Sequence, residues 1–482
     1  MDVLVIGAGV SGVSAGYHLQ SRCPNTTYAI LEARERLGGT WDLFRFPGIR
    51  SDSDMYTFAY SFKPWTNPRF IADGQSILAY VTETAREHGI DRHIRYRHRA
   101  IKAAWSSKDA LWTVEVECGP DRQLRRYTCR FLHMCAGYYN YAQGHAPDFA
   151  GAERFQGRIV HPQQWTDDID YAGKRVVVIG SGATAVTLIP ELARTAGHVT
   201  MLQRSPTYML SWPTRDRIAE LLRRFFPDRV AWTISRWQYV LIMMLFFNMA
   251  RWCPGMVKTW LLGRVRNELG PDYDIARHFT PRYNPWDQRV CLVPDGDLFE
   301  AIRTGKASVV TDRIATFTET GIALESGAEL EADLIVTATG LELQMVSGLD
   351  ITVDGSCVDI SRSVQYKGMM FSGIPNMASC FGYTNASWTL KADLVSEYVC
   401  RLLNHMDESG MRQCTPELAD ATINPEPFLD FSSGYITRSV DQFAKQGSKR
   451  PWKLYQNYAL DLLLLRFGKV DDGTMAFSNP EP

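Results

Sequence analysis

The sequence predicts an α/β protein with two dinucleotide-binding, Rossmann-like domains, one inserted in the other, and a helical insertion. Three observations carry this. Asp2-Val3-Leu4-Val5-Ile6 runs into Gly7-Ala8-Gly9-Val10-Ser11-Gly12 and then a helical pattern to about Arg22. Lys174 to Ile179 runs in the same way into Gly180-Ser181-Gly182-Ala183-Thr184-Ala185. A third run, Asp333 to Thr339, ends in Gly340 and reads as the chain leaving the second unit for the first. Unbroken apolar runs are what parallel strands covered on both faces require. The expected layout is 1–145 for the first part of the first domain, and 146–206 with 283–335 for the inserted domain. Residues 207–282 are the helical insertion, and 336–482 complete the first domain and add a tail.

In the first unit Gly7 makes the tight turn and Gly9 lets the backbone approach a pyrophosphate. Gly12 lets helix and strand pack closely, Ser11 sits in the same turn, and the helix N-terminus faces the phosphates. A second strand, Thr27 to Leu31, ends in Glu32, which can accept hydrogen bonds from an adenosine ribose. Then comes an unusual loop, Gly38 to Asp52, with two glycines, Pro47-Gly48, a Trp, an Arg and an Asp at fixed places. Loops of this composition carry sites more often than scaffolding. Gly39, Thr40, Trp41 and Asp42 are expected to wrap a flavin. An aromatic-rich segment (56–65) and a helix over about 75–88 come next, then strands near 95–105 and 112–117. Phe131 to Gly137 is a strand returning past the first nucleotide.

The second glycine turn is the G-x-G-x-x-A variant, with Gly180, Ser181, Gly182, Thr184 and Ala185 as candidate contacts. Its next strand, His198 to Leu202, ends in Gln203-Arg204-Ser205 instead of an acid. An acid would repel a 2′-phosphate, whereas Arg204 can pair with it and Ser205 can donate to it. Two such units imply two cofactors, a held flavin (FAD) at the acidic strand end and a diffusible NADPH at the basic one. Past Gly340 a helix over about 390–404 is expected, capped by Ser387 or Thr389, with its N-terminus offering positive charge to the flavin ring. The last 70 or so residues carry little signal.

Net charge is −1 with a pI near 6.8, which gives no basic field for nucleic acid. None of the ten cysteines forms a CxxC pair and no Cys/His cluster has zinc spacing, so no metal is expected. The chain opens directly on a strand, so a cytoplasmic protein without a signal peptide is expected. The most apolar run, Tyr239 to Ala250, is short of the roughly 20 residues that span a bilayer. Two readings of the insertion stay open. It covers the active site by packing within the protein, or its 232–260 region, flanked by Arg236, Arg251, Lys258 and Arg264, makes peripheral contact with a membrane.

Between the glycine turns lies Phe155-Gln156-Gly157-Arg158-Ile159-Val160-His161-Pro162-Gln163-Gln164-Trp165. It resembles the F-x-G-x-x-x-H-x-x-x-W fingerprint of Baeyer–Villiger monooxygenases, the ketone-oxidising branch of flavin-containing monooxygenases. Gly38, Gly39, Trp41, Phe46, Pro47, Gly48 and Asp52 match that family's longer signature without a gap. The run 39–54 and Asn284-Pro285-Trp286-Asp287-Gln288-Arg289 look most like the ethionamide-monooxygenase branch of mycobacteria.

The resemblance implies a C4a-peroxyflavin that takes one oxygen of O₂ and inserts it beside a ketone carbonyl, giving an ester or lactone, with sulfide and thioamide oxygenation as a side activity. It implies that Arg289 is the catalytic arginine and Asp52 its acidic partner, and that Arg50, Ser51 and Asp52 face the place where the two cofactors and Arg289 meet. His161 and Trp165 would couple cofactor binding to domain motion. Two positions depart from the pattern. Thr166 comes after the fingerprint where many members have Pro or Asp, and Gln288 stands where many carry a Lys beside the 2′-phosphate. NADPH recognition then rests more heavily on Arg204. The alternative is an oxygenase of this architecture that acts mainly on nitrogen or sulfur centres or on long alkyl chains.

Overall fold

The structure, a computed structural model, describes residues 1–428 and 434–480. The remaining residues of the 336–482 segment lie outside the described part. The expected α/β architecture is present as two five-stranded parallel sheets. The first orders Met377–Ser379, Phe131–Met134, Val3–Ile6, Tyr28–Glu32 and Ile94–Tyr96. Its outermost strand comes from beyond residue 340, so the chain leaves this sheet, builds another and returns. The second orders Ala307–Thr311, His198–Gln203, Arg175–Ile179, Leu334–Thr337 and Arg158–Val160. The central strands Val3–Ile6 and Leu334–Thr337 are buried at every position, which is why they read as unbroken apolar runs. A third five-stranded sheet, mostly antiparallel, orders Ser356–Cys357, Asp350–Val353, His98–Ser106, Leu111–Cys118 and Gln123–Cys129 and packs on one face of the first sheet.

The chain crosses between the two sheets at Tyr139–Gly144 and Leu341–Leu343, and these strands pair with each other. His161 sits on this crossing. Its Nε2 lies 3.1 Å from the Gly340 carbonyl, and its Nδ1 accepts from the Gln163 N–H at 3.2 Å. A carbonyl can only accept, so the ring is neutral with the proton on Nε2. Burial, foremost, holds its pKa below the usual range. A Cβ on Gly144 would lie 2.0 Å from the ring, so that glycine gives the imidazole its seat. Trp165 is buried in the second sheet's core against Tyr171.

The insertion comprises Arg217–Phe225, the long helix Asp228–Trp252, Pro254–Leu269 and Ile275–His278, tied at its base where Met209–Trp212 pairs with Cys291–Pro294. The apolar run 239–250 is only half of the long helix. By length (25 residues) and hydropathy (1.3) that helix could cross a bilayer, which corrects the expectation from the run alone. Thr233, Ser235 and Gln238 interrupt the apolar run without breaking the helix.

Arg236, expected as an interfacial cation, is buried instead. Its guanidinium donates to the carbonyls of Tyr56 (2.9 Å), Thr57 (3.3 Å) and Ala59 (2.7 Å), closing the end of the short helix Met55–Phe58. Its charge also acts on the buried Asp54, whose pKa is pushed up by burial and held back by the Thr57 bonds and then by this charge. Arg236→Met should therefore cost about 3 kcal/mol by leaving carbonyls and a carboxylate without their cation. Thermal unfolding checks this, and an unchanged Tm would contradict the assignment.

The helix over 390–404 extends further, as Trp388–Ser409. Ser387 holds the N-cap position but does not cap. Its hydroxyl meets that of Thr57 at 2.7 Å, and Thr389 bonds the Phe58 carbonyl. The described part of the tail is tied to this helix by contacts that its sequence does not suggest. Lys391 pairs with Asp461 at 2.7 Å, Glu397 with Arg466 at 2.6 Å, and Arg401 donates to the carbonyls of Leu465 and Gly468 at 2.6 Å each. Those partners lie about 70 residues apart in sequence, beyond the reach of a local pattern.

Candidate functional site

The first glycine turn is held by packing. Gly7 has φ +102°, open only to glycine without strain, and a Cβ on Gly12 would stand 1.9 Å from the Gly7 carbonyl oxygen. The helix Val10–Arg22 that opens here has no side-chain cap, so its first N–H groups stay available to an anion. Glu32 is buried, and its two carboxylate oxygens accept from Ala8 N–H (2.8 Å) and Arg34 N–H (2.9 Å). Burial raises its pKa, and these bonds oppose the rise. Each oxygen keeps a lone pair for ribose hydroxyls.

A cleft of about 490 Å³ starts at this turn. Gly7, Gly9, Ser11, Glu32, Gly39, Thr40, Trp41, Ser51, Asp52 and Arg289 all line it. Thr40 to Leu43 forms one helical turn where the sequence suggests a loop. Ser11 Oγ accepts from the Trp388 indole at 2.7 Å and so fixes the turn to the Trp388–Ser409 helix.

Two predicted contacts do other work. Asp42 is buried outside the cleft and gathers three guanidiniums, Arg34 (2.8 Å), Arg36 (3.1 Å) and Arg45 (3.2 Å). It orients Arg34, which does line the cleft. Arg50 reaches across to Asp297 at the start of the helix Asp297–Arg303 and ties the loop to the second unit. Gly12, His161 and Trp165 also lie outside the cleft lining.

Asp52 and Arg289, 237 residues apart, form a partly exposed ion pair. Asp52 also lines a second, apolar cavity of about 340 Å³ with Phe70, Leu210, Tyr239, Met243, Phe246, Trp286 and Leu292. Ser53 and Ala386 line both spaces, so the cavities adjoin at the ion pair. These wall residues are missed at the level of sequence. Their one signal there is the surplus of aromatic and Met residues in 56–70 and 207–292.

At the second glycine turn, Gly180 has φ +137°, and a Cβ there would approach the Ala338 carbonyl to 2.4 Å. The helix Ala183–Leu192 also has no side-chain cap. Ser181 donates to the Ser205 carbonyl at 3.0 Å, Ala185 is buried, and Thr184 is half-buried. Gln203 is structural, donating to the His278 carbonyl (2.7 Å) and Thr311 hydroxyl (2.9 Å). Arg204 and Ser205 project beyond it, exposed. A second cation stands here that no sequence pattern reveals. Arg438 has its pKa lowered by burial and then by the neighbouring charge of Arg204. Among the described residues neither guanidinium has an ion-pair partner, so the pair suits a dianionic phosphate.

The geometry can be set beside known proteins. Residues 1–351 match the family model described as flavin-binding monooxygenase-like. The chain is 55% identical to the FAD-containing monooxygenase EthA of Mycobacterium tuberculosis, covering 100% of this chain and 99% of that one. It is 44% identical to the probable FAD-binding monooxygenase AlmA of Acinetobacter baylyi, covering 99% and 96%. Its fold matches a steroid monooxygenase bound to NADP (TM-score 0.78, 23% identity) and an open cyclohexanone monooxygenase (TM-score 0.76, 18% identity), each over 99% of both chains. With two glycine turns, the acidic and basic strand ends and this likeness along the whole chain, the protein belongs to the flavin-binding monooxygenase-like family.

Proposed function

We propose that this chain is an NADPH-dependent FAD monooxygenase of the Baeyer–Villiger type. A ketone, O₂, NADPH and a proton would give an ester or lactone, NADP⁺ and water, with sulfide and thioamide oxygenation as a side activity. The observation that carries this reading is the Asp52–Arg289 pair where the cofactor cleft adjoins the apolar cavity.

The turn Gly7–Gly12 with the helix behind it would hold the FAD pyrophosphate, and Glu32 the ribose. Gly180–Ala185, Arg204, Ser205 and Arg438 would hold NADPH. When bound, NADPH supplies hydride and FAD supplies oxygen activation. Arg289 contributes a charge that stays protonated at any working pH, placed where negative charge develops on oxygen. Asp52 fixes the direction of that guanidinium. The walls of Phe70, Leu210, Met243 and Phe246 exclude water and favour long-chain or aryl-alkyl ketones over polar ones. Such substrates concentrate in lipid, which makes a membrane surface a good place to collect them.

Product analysis with 2-decanone and a thioether in parallel tests the reaction. Octyl acetate formed with consumption of NADPH and O₂ is expected. Sulfoxide alone, or hydrogen peroxide alone, would favour oxidation at heteroatoms or exclude the reading.

Cofactor choice is tested separately. Arg204→Ala should raise KM for NADPH about 10- to 100-fold, the worth of one charge-assisted phosphate contact, with little change for NADH. Arg438→Ala should act in the same sense. Equal effects on both cofactors would show that neither guanidinium reads the 2′-phosphate.

A further inference from the structure

In a water-facing amphipathic helix the outward stripe is polar. The helical insertion reverses this. On the long helix, Ile234, Trp237, Leu241, Leu245 and Trp252 are exposed at helical spacing, while Ala231, Trp232, Ser235, Arg236, Tyr239 and Val240 face inward. The preceding helix repeats the pattern with Ile218, Leu221 and Phe225, and the next one with Met256 and Trp260. Phe225 and Trp252 are each 75% exposed. Side chains of this size do not gather on three consecutive helices without a partner.

Charge indicates which partner. Residues 217–269 hold nine Lys and Arg against three Asp and Glu, a net charge of +6 in a chain whose total is −1. Arg217, Arg224, Arg229, Arg264 and Arg266 are exposed, and among the described residues none is ion-paired. A second copy pairing by a twofold axis would set this cationic face against itself. An anionic lipid surface complements it. The face is also the back of the apolar cavity. Leu245 and Trp260 line the cavity and are 60% and 45% exposed, so one layer of side chains separates cavity from surroundings.

We propose that the outer face of the insertion docks on anionic bilayers, its apolar stripes entering the headgroup region and its arginines meeting lipid phosphates, so that apolar substrate passes from lipid into the cavity. Docking does not depend on the reaction proposed above.

Flotation of the FAD-loaded full chain with vesicles tests it. The protein should float with phosphatidylcholine–phosphatidylglycerol vesicles, less with phosphatidylcholine alone, and salt should weaken binding without abolishing it. Brominated lipids should quench its tryptophan fluorescence, because Trp237, Trp252 and Trp260 share this face. The double variant Leu241→Glu/Trp252→Glu, at positions outside the cavity lining, should lower the vesicle-bound fraction about tenfold or more. Its NADPH oxidation with a water-soluble substrate should stay unchanged. Absence of flotation and quenching for the unaltered protein would overturn the proposal. So would a dimer in sedimentation that the double variant splits while vesicles leave it intact.

Discussion

Arg289→Ala is expected to reduce product formation by about 10²- to 10³-fold, the loss seen when one preorganised donor to developing negative charge is removed. Bleaching of the flavin by NADPH should proceed at a nearly normal rate, because hydride transfer needs no cation at this spot. NADPH should still be consumed, with hydrogen peroxide replacing the ester. Arg289→Lys should recover only part of the activity, since an ammonium keeps the charge but not the planar fork that Asp52 can orient. Asp52→Ala should have a smaller effect, because the charge stays while its direction loosens. Full ester formation by Arg289→Ala with normal flavin reduction would remove Arg289 from the chemistry and leave the ion pair as a clasp between the two units.

The parts legible in the sequence are those whose cause is local. A glycine turn, the strand before it and the helix after it occupy a short run of consecutive residues, so both nucleotide units can be read without neighbours. The position of Arg204 could be read because the end of a strand fixes the place of the next residues. Arg289 and Asp52 could be read only through resemblance, since nothing in either stretch indicates a partner 237 residues away. Other readings failed where tertiary contact decides. Asp42 and Arg50 have the residue types of cofactor contacts and the positions of braces. Arg236 flanks an apolar run but turns inward, because the carbonyl end of Met55–Phe58 needs a donor. The apolar cavity draws its walls from segments spread between Asp52 and Tyr458, and Arg438 reaches the Arg204 site from the far end of the chain.

The first glycine turn offers a second large effect, and one that separates packing from chemistry. A Cβ on Gly12 meets the Gly7 carbonyl oxygen at 1.9 Å, and that contact is backbone on backbone, so no rotamer change relieves it. Helix and strand must move apart, and overpacking of this kind costs about 3 kcal/mol or more, equivalent to ~100-fold in affinity for the ligand the turn holds. Gly12→Ala should therefore be isolated largely without flavin while keeping most of its secondary structure. The corresponding place in the second turn, Ala185, already carries a Cβ, while Gly182, the counterpart of Gly9, has nothing within 4 Å of an added Cβ. Gly182→Ala should keep its full flavin content and fold. Flavin absorbance relative to protein reads both variants directly. If Gly12→Ala retained stoichiometric FAD, the helix could not be seated on the turn as tightly as the structure has it. If both variants lost flavin alike, general instability would be the cause. Loss confined to Gly12→Ala would locate FAD at the acidic strand end, next to Glu32, and leave the basic end with Arg204 and Arg438 for the second nucleotide.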